Sequence, residues 1–325
     1  MGARYVGRRL VSAAITIVLI VLLNFVLFRA MPGSPERILL GRIPGVTQQV
    51  LESTRARWGL DKPLFPDQFV DYLAATARGD LGFSFTARGK PVVDVLLQRL
   101  WPTLLLFGLG EILAIVIGLA LGAYSGWKRG GPVDYVGNTV SLVLYATPYF
   151  LLGMALLIVF ATNLHWFPTY GMADAGRHYK DFLDQLTDIG RHLALPLATV
   201  ALGLVGQYAI LMRSSVLETM SEDYINTARA KGLPEGRILR GHALPNALLP
   251  TVTLVAINLG YVVAGAITVE IVFNWPGLGT LTVDALASRD YPVLQGVFLL
   301  LSVTVVLANL AADLIYGFLD PRVRT

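Results

Sequence analysis

The chain has 325 residues, of which 54% are hydrophobic and only 15% are charged, and its formal net charge is +4. An average soluble domain has about 25% charged residues, so this composition excludes an ordinary soluble globule. The complete lack of cysteine excludes disulfides, thiolate metal sites and cysteine nucleophiles.

The apolar residues are gathered into six long runs, and a run of at least about 18 residues can cross the hydrocarbon layer as a helix. Glu111 is the only charged residue inside them. Since helices satisfy their own backbone hydrogen bonds in lipid, the sequence predicts an all-α integral membrane protein with six transmembrane helices. The predicted spans are 10–28, 103–127, 139–164, 193–212, 246–269 and 291–312.

The first run follows three arginines, an arrangement that is also typical of a secretory signal peptide. A signal peptide has an apolar core of about 7 to 15 residues and ends at a small-residue cleavage site. This run is longer, and it leads into Arg29-Ala30-Met31-Pro32-Gly33. We therefore expect the first helix to be retained as a membrane anchor.

Lys and Arg are unevenly distributed between the two sets of short loops. Because loops rich in Lys and Arg stay in the cytoplasm, this distribution predicts that both termini are cytoplasmic and that residues 32–99 are external. The net positive charge then reflects topology, and no nucleic-acid partner is expected. The basic residues on the cytoplasmic side are Arg4, Arg8, Arg9, Lys128, Arg129, Arg213, Arg229, Lys231, Arg237, Arg240, Arg322 and Arg324, against Arg177, Lys180, Arg191 and Arg289 on the other.

Residues 32–99 form a polar insertion in which charges of both signs alternate with Gly and Pro. Within it, 48–58 and 66–76 predict short amphipathic helices, and 79–82 and 88–91 predict turns.

A second external loop, 163–191, contains His165 and His178. These histidines either bind a metal or are ordinary solvated side chains. We expect the second, so no metal site is predicted.

The cytoplasmic stretch 218–245 has strong helix start and stop signals. Ser221 is a predicted N-cap, Asp223 suits a first turn, and Gly232 is a predicted stop. Pro234 and Glu235 then suit the start of another helix. The stretch predicts two short helices at an angle on the membrane surface, which either touch only lipid head groups or fit a groove on a partner.

This stretch resembles the cytoplasmic motif of the inner-membrane permeases of ATP-binding-cassette (ABC) importers. That motif has Glu-Ala-Ala, three residues, Gly, nine residues and then Ile-x-Leu-Pro. Asn226-Thr227-Ala228, Gly232 and His242-Ala243-Leu244-Pro245 keep the spacing, although Asn, Thr and His replace the motif's Glu, first Ala and Ile.

Further segments resemble the dipeptide, oligopeptide and nickel permeases of this family, and the likeness covers nearly the whole chain. The external residues 59–64 and 79–84, placed after Met31-Pro32-Gly33, resemble the B-type subunit of the two permeases that such importers use. The other matching segments are 223–233, 269–279, 289–293 and 314–324.

The resemblance implies a type I ABC importer permease fold, with residues 1–325 as one transmembrane domain, 32–99 as its external insertion and 218–245 as its coupling-helix segment. It implies a subunit of the bacterial inner membrane that forms half of an alternating-access pathway for di- and oligopeptides. The implied partners are a C-type permease, two cytoplasmic ATPases and an extracytoplasmic substrate-binding protein.

We expect no enzyme activity and no cofactor in this chain, because its sequence has no phosphate-binding loop of the Gly-x-x-x-x-Gly-Lys-Ser/Thr type. ATP and Mg²⁺ would bind to the partner ATPases. The residues that the resemblance implies at the ATPase contact are Asp223, Tyr224, Thr227, Ala228, Arg229, Lys231, Gly232, Leu233, His242, Leu244 and Pro245.

Polar residues in or beside the spans are candidates for the pore or gate, because a charge in mid-bilayer is costly and should face protein or water. Each candidate either lines the path or makes a structural hydrogen bond between helices. The candidates are Glu111, Gln207, Asn258 and Glu270.

Glu270 precedes a predicted rigid turn at the external mouth, Asn274-Trp275-Pro276-Gly277. Its carboxylate there would either attract the amino terminus of a peptide or cap the turn.

Two other functions stay open from the sequence. A stand-alone channel or secondary transporter would show inverted repeats, broken helices and paired ionisable groups at mid-membrane. A scaffold or receptor would transport nothing. Within the importer role, nickel chelates, haem and glutathione are alternatives to peptides.

Overall fold

Helices dominate the part of the chain that the computed structural model describes, which is residues 3–30, 48–49, 52, 61–87, 89–262 and 267–319. Wider π-helical turns, Leu157–Asn163 and Leu239–Ala243, prolong α5 and α8. The helices are α1 Ala3–Ala30, α2 Phe69–Ala77, α3 Val92–Trp127, α4 Pro132–Ala146, α5 Tyr149–Leu156, α6 Phe182–Met220, α7 Asp223–Ala230, α8 Glu235–Ile238, α9 Leu244–Val262, α10 Ile267–Val272, α11 Leu278–Ser288 and α12 Tyr291–Leu319.

Within the described residues, α1, α3, α6 and α12 are long and apolar enough to cross a membrane. The pair α4 and α5 also passes this test when it is taken together, although its two helices are bent by 105°. The predicted span 139–164 is therefore not one straight helix. Pro148 explains the break, because a proline disfavours helical backbone in the residue before it, and Thr147 is extended, with φ −85° and ψ 122°.

Helices α3 and α6 lie side by side and run in the same direction. A Cβ atom added at Gly118 would lie 2.5 Å from Cβ of Tyr208, and one at Gly126 would lie 3.0 Å from Cβ of Val216. The glycines of α3 permit this close packing, since small residues allow helices to approach in lipid.

The bent pair crosses the bundle in the opposite direction to α3 and α6. Gly137 of α4 faces Ser125 near the end of α3, whereas Gly153 of α5 faces Thr199 in the first half of α6. Ala161 then packs in one apolar cluster with Leu193. This steady progress along α6 indicates one broken span that returns the chain to the start of α6.

The remaining predicted span, 246–269, includes residues 263–266, which lie outside the described residues. Helices α9 and α10 flank this gap. The count of six spans therefore stays a prediction, with four long apolar helices and the bent pair α4–α5 present among the described residues.

Helices α1 and α12 pack antiparallel at the edge of the bundle. The Tyr5 hydroxyl donates to the carbonyl of Asp313 at 3.0 Å, and Nη1 of Arg9 lies 2.9 Å from Oδ2 of Asp313. Near the other end, Nδ2 of Asn24 donates to the carbonyl of Gln295 at 3.1 Å.

The predicted insertion 32–99 differs from the structure at its end, within its described residues. The predicted helix 66–76 is confirmed as α2, while 48–58 lies mostly outside the described residues. The predicted turns contain glycines with positive φ, including Gly82 at +79° and Gly89 at +72°. Residues 92–99 are the first turns of α3 and not part of a polar insertion. They are helical here because Val92 and Leu96 are buried against α11 and α12.

Candidate functional site

The stretch 218–245 lies at the end of the bundle that carries Trp127 and Met220, which we call the basal end. Helix α7 is confirmed, but the predicted N-cap is wrong. Ser221 closes α6, with its N–H donating to the carbonyl of Glu218 at 3.1 Å, and Glu222 occupies the N-cap position of α7.

One face of α7 fastens this stretch to the bundle. Ile225 is completely buried and Ala228 is 6% exposed. Both pack with Ile238 of α8 and with Met212 and Val216 of α6. The position of α7 is therefore set by apolar contacts with α6. Helix α6 in turn packs along α3.

The opposite face of the stretch is open. Ala228 points inward and contributes packing. Leu233, His242 and Leu244 are half-buried. The other predicted contact residues are exposed, namely Asp223, Tyr224, Thr227, Arg229, Lys231, Gly232 and Pro245.

Gly232 ends α7 with the left-handed backbone that was predicted, at φ +76°. Its N–H donates to the carbonyl of Arg229 at 2.9 Å, and the N–H of Leu233 donates to that of Ala228 at 3.3 Å. A Cβ atom at Gly232 would meet nothing within 4 Å among the described residues. The demand for glycine therefore comes from backbone conformation, which favours Gly strongly over other residues.

The second predicted short helix is instead the first turn of a longer one. Helix α8 continues through the wide turn Leu239–Ala243 into α9. Pro245 accounts for the wide turn, because it has no N–H to donate to the preceding turn of a regular α-helix. As a result, the open stretch is directly continuous with a helix of the bundle.

Two polar contacts link α7 to the helices that follow it, one to α8 and one to α9. Nε of Arg229 lies 2.8 Å from Oε1 of Glu235, and this hydrogen bond holds the pKa of the Glu235 carboxyl below its usual value. Nδ2 of Asn246 donates to the Tyr224 hydroxyl at 2.9 Å. The turn thus has a defined shape before any partner is added.

Two of the four candidate pore residues meet in the bundle interior through a residue that the sequence did not single out. The Tyr208 hydroxyl donates to Oε1 of Glu111, and Nδ2 of Asn258 donates to the Tyr208 hydroxyl at 2.9 Å. Glu111 is 2% exposed and Tyr208 is fully buried. The arrangement ties α3, α6 and α9 together as a chain of interhelical hydrogen bonds. Gln207 is half-buried and is not part of it.

Glu270 lies in a separate site and is fully buried. Its Oε1 accepts a hydrogen bond from the Thr103 hydroxyl at 2.8 Å, and its Oε2 accepts one from the N–H of Thr280 at 3.0 Å. Thr280 lies in the first turn of α11, where backbone N–H groups are free to bind an anion. Of the two roles considered for this carboxylate, the geometry matches a cap on the turn.

The turn 274–277 is built around the same carboxylate. Asn274 has a positive φ of +46°, and Trp275 is fully buried with its Nε1 donating to the carbonyl of Pro102 at 2.9 Å. A side chain at Gly277 would collide with the carboxylate of Glu270. The predicted rigid turn is thus locked against α3.

A third buried carboxylate is not among the candidate residues from the sequence, although its segment, 289–293, is one of those that resemble the family. Asp290 is fully buried, and its Oδ2 accepts hydrogen bonds from the hydroxyls of Ser84 at 2.6 Å and Thr86 at 2.7 Å. The Thr86 N–H donates to the same oxygen at 2.9 Å. Asp290 thus joins the segment that follows α2 to the turn between α11 and α12.

Asp174 in the loop 163–191 lies close enough to Asp188 and His192 of α6 for the three residues to hold a metal ion. Arg177 already supplies a cation, with its Nη1 3.2 Å from Oδ2 of Asp174 and 3.4 Å from Oδ1 of Asp188. The histidines considered from the sequence, His165 and His178, are exposed and are not members of this group.

Comparison with known proteins gives matches over nearly the whole chain. Residues 114–325 match the family model described as binding-protein-dependent transport system inner membrane component. Residues 2–107 match the model of the N-terminal part of such a membrane component.

Among curated proteins, the chain is 37% identical to a putative peptide permease protein of Brucella suis over 321 residues, which is 99% of each chain. It is 38% identical to a probable peptide ABC transporter permease protein of Sinorhizobium fredii, over 98% of this chain and 99% of that one. It is also 37% identical to the glutathione transport system permease protein of Escherichia coli, over 98% of each chain.

Among solved structures, the fold is similar to a chain of the MetNI methionine ABC transporter in an inward-facing conformation. The TM-score is 0.57 at 20% identity, and the match covers 71% of this chain and 99% of that chain. This similarity supports the importer permease fold that the sequence resemblance implied.

Proposed function

Because this chain belongs to the inner membrane components of binding-protein-dependent transport systems, we propose that it forms half of an alternating-access pathway for the uptake of di- and oligopeptides. A second permease would supply the other half. Two cytoplasmic ATPases would bind ATP and Mg²⁺ and drive the cycle, and an extracytoplasmic binding protein would deliver the substrate.

The observation that carries this proposal is how the stretch 218–245 packs at the basal end. Its inner face, with Ile225 and Ala228, is buried against the bundle, and its outer face is exposed. Gly232 sets the backbone conformation of the turn, and the exposed Arg229–Glu235 pair spans it. A preformed element that continues into α9 is suited to pass a displacement from a soluble partner to the membrane helices.

We propose that the basal end faces the cytoplasm, together with both chain termini. The basic residues of the short loops support this orientation, because loops rich in Lys and Arg are retained in the cytoplasm. The segment after α2 and the turn 274–277 would then face the binding protein.

Peptides are the proposed substrate class because curated relatives that cover nearly the whole chain are named as peptide permeases. One relative of similar identity is named as a glutathione permease, and glutathione is itself a short peptide. Nickel chelates and haem are the competing substrates within the same role.

The test is uptake into vesicles that contain this chain, the second permease and the ATPases, with the binding protein added outside. We expect ATP-dependent accumulation of di- and tripeptides, and we expect no ATP turnover by this chain alone. Accumulation of haem or a nickel chelate without peptides would change the substrate. Peptide flux through vesicles that contain this chain alone would instead identify a channel or secondary transporter.

A further inference from the structure

Two neighbouring cavities lie at the end of α1 that is far from the basal end. Both are lined by a basic and an acidic side chain. The first has a volume of about 380 Å³ and is lined by aromatic rings together with Arg29, Tyr72 and Asp80. The second, of about 270 Å³, shares these three residues and adds Gln68. They form one polar chamber between α1, α2 and the start of α12, which we call the chamber.

The chamber is lined by both a cation and hydrogen-bond acceptors. The guanidinium of Arg29 lies 5.7 Å from the ring centroid of Phe25, and no ion pair within the described residues includes it. Gln68 is 9% exposed, and its buried Oε1 has no hydrogen-bond partner within the described residues. Buried polar atoms are normally paired, so this oxygen points to a missing ligand.

An apolar groove continues from the chamber along α1. It has a volume of about 270 Å³ and is lined by Ile20, Leu23, Leu27 and Phe28 of α1 and by Phe298 of α12, among others. Phe28 lines both the chamber and the groove. At about 1.5 Å per residue, the distance from Ile20 to Arg29 is about 14 Å. This is about half the thickness of the hydrocarbon layer, which is the depth of one leaflet.

We propose that the chamber and the groove together bind one phospholipid with an ethanolamine-type head group. The phosphate would contact Arg29, because a guanidinium binds phosphate through two parallel N–H groups. The ammonium would donate to Oε1 of Gln68 and to Asp80, and an acyl chain would lie in the groove. The site requires only that the chain spans a membrane, so it can fail without affecting the peptide-import proposal.

The lipid would join parts of the chain that touch each other little. Helix α2 makes only a few direct contacts with α1, centred on Phe25 against Phe69 and Tyr72. A head group in the chamber would contact α1, α2 and the loop at Asp80 together. The lipid would thus stabilise the external segment against the membrane helices.

Native mass spectrometry of the full chain, purified in mild detergent and titrated with phosphatidylethanolamine or phosphatidylglycerol, tests this assignment. We expect one tightly retained phosphatidylethanolamine, with phosphatidylglycerol held less well because it has no ammonium group. Arg29→Gln should weaken retention about tenfold, the effect of losing one charged hydrogen bond. Arg78→Gln is the matched control, since Arg78 is an exposed arginine of the same external region that lines neither cavity.

A second variant tests the groove without changing the chamber. Leu27 is 54% exposed, so Leu27→Trp is tolerated by the fold, fills the groove and should also weaken retention. Neither inorganic phosphate nor trialanine should displace the lipid from the wild type. The assignment is overturned if Arg29→Gln and Leu27→Trp retain lipid as the wild type does, if Arg78→Gln loses it equally, or if phosphate or trialanine displaces it. If Arg29→Gln does not fold, the comparison of Leu27→Trp with the wild type decides.

Discussion

The hydroxyl of Ser84 lies 2.6 Å from the carboxylate of Asp290, although 206 positions separate them in the sequence. Asp290 also accepts two hydrogen bonds from Thr86, so one carboxylate holds the whole segment that follows α2. This segment and the turn before α12 would face the binding protein in the proposed orientation, and their relative position depends on this contact.

Replacement of Asp290 by Ala should destabilise the segment that follows α2. Three donors would lose a charged acceptor in a buried place, which costs about 3 kcal/mol of unfolding free energy. Thermal unfolding in detergent and tryptic cleavage after Arg78, at the start of this segment, measure the effect. Asp284→Ala is the control, since Asp284 is exposed. Equal melting temperatures for the two variants would show that Asp290 does not hold the segment.

Variants of Tyr208 and Glu111 distinguish a structural role of their hydrogen bond from a role of Glu111 in the transport pathway. Tyr208→Phe should lower the unfolding free energy by about 1–3 kcal/mol, because it leaves Glu111 and Asn258 without their shared partner. Tyr135→Phe, at a position 77% exposed, should have no effect. Glu111→Gln should keep both stability and uptake, since its side-chain oxygen still accepts from Tyr208. Loss of uptake by a stable Glu111→Gln protein would place the carboxylate on the transport path.

Gly232→Val should leave the protein inserted and assembled with the second permease, while ATPase association weakens and uptake is lost. At φ +76° a residue other than Gly costs about 1 kcal/mol or more, so the turn must change shape. Gly236→Val is the matched control, because its Cβ also meets nothing within 4 Å but its φ is not positive. Co-purification of the ATPases and vesicle uptake are measured together. Normal values of both for Gly232→Val would remove the coupling role.

Charge reversal at Arg229 should weaken ATPase association less than Gly232→Val does. The pKa of Glu235 is lowered by Arg229, so the ion pair is complete at neutral pH and is lost only as the pH falls through that lowered pKa. Exposed ion pairs contribute little to stability, and the turn keeps its glycine. Lys231→Glu is the comparison at an exposed position outside this pair. A loss of ATPase binding in Arg229→Glu as large as in Gly232→Val would mean that the charge itself is the contact.

The orientation is tested with single cysteines in this cysteine-free chain. Ser53, which the sequence suggests as an external site, lies outside the described residues, whereas His178 is exposed in the second external loop. We expect a membrane-impermeant thiol reagent to label His178→Cys in intact cells, and to label Ser221→Cys only after the cells are opened. Labelling of both in intact cells would contradict a cytoplasmic basal end.

Hydropathy predicted where the long helices lie but not where they begin and end. The prediction started α3 at 103, yet the helix begins at Val92, and α6 begins at Phe182 although its apolar run starts at 193. The added turns contain polar residues such as Asp188 and His192, which are 3% and 5% exposed. Their burial by neighbouring loops supports the helix beyond the apolar run. The start itself has a local signal that hydropathy does not count, because Oδ1 of Asp181 accepts a hydrogen bond from the N–H of Asp184 at 2.8 Å as an N-cap.

In the candidate sites too, local features could be predicted from the sequence and long-range contacts could not. The left-handed turn at Gly232 was predictable because its signals are local, a run of helix formers followed by Gly. Tyr208 was not, because a tyrosine within an apolar run carries no sign of its partner Glu111, which is 97 positions away. Glu270 was identified as a polar residue before a turn, but only the fold brings Thr103 to it. Long-range partners of buried polar groups require the structure.

The close contact of α3 and α6 makes the two helices one rigid unit. The contact extends from Gly110 to Gly126, about 24 Å at 1.5 Å per residue, with atoms of α6 where a Cβ atom at these glycines would lie. Ile225 of α7 packs on the basal end of the pair through Met212 and Val216. A displacement of α7 should therefore move α3 and α6 together and shift their far ends as well.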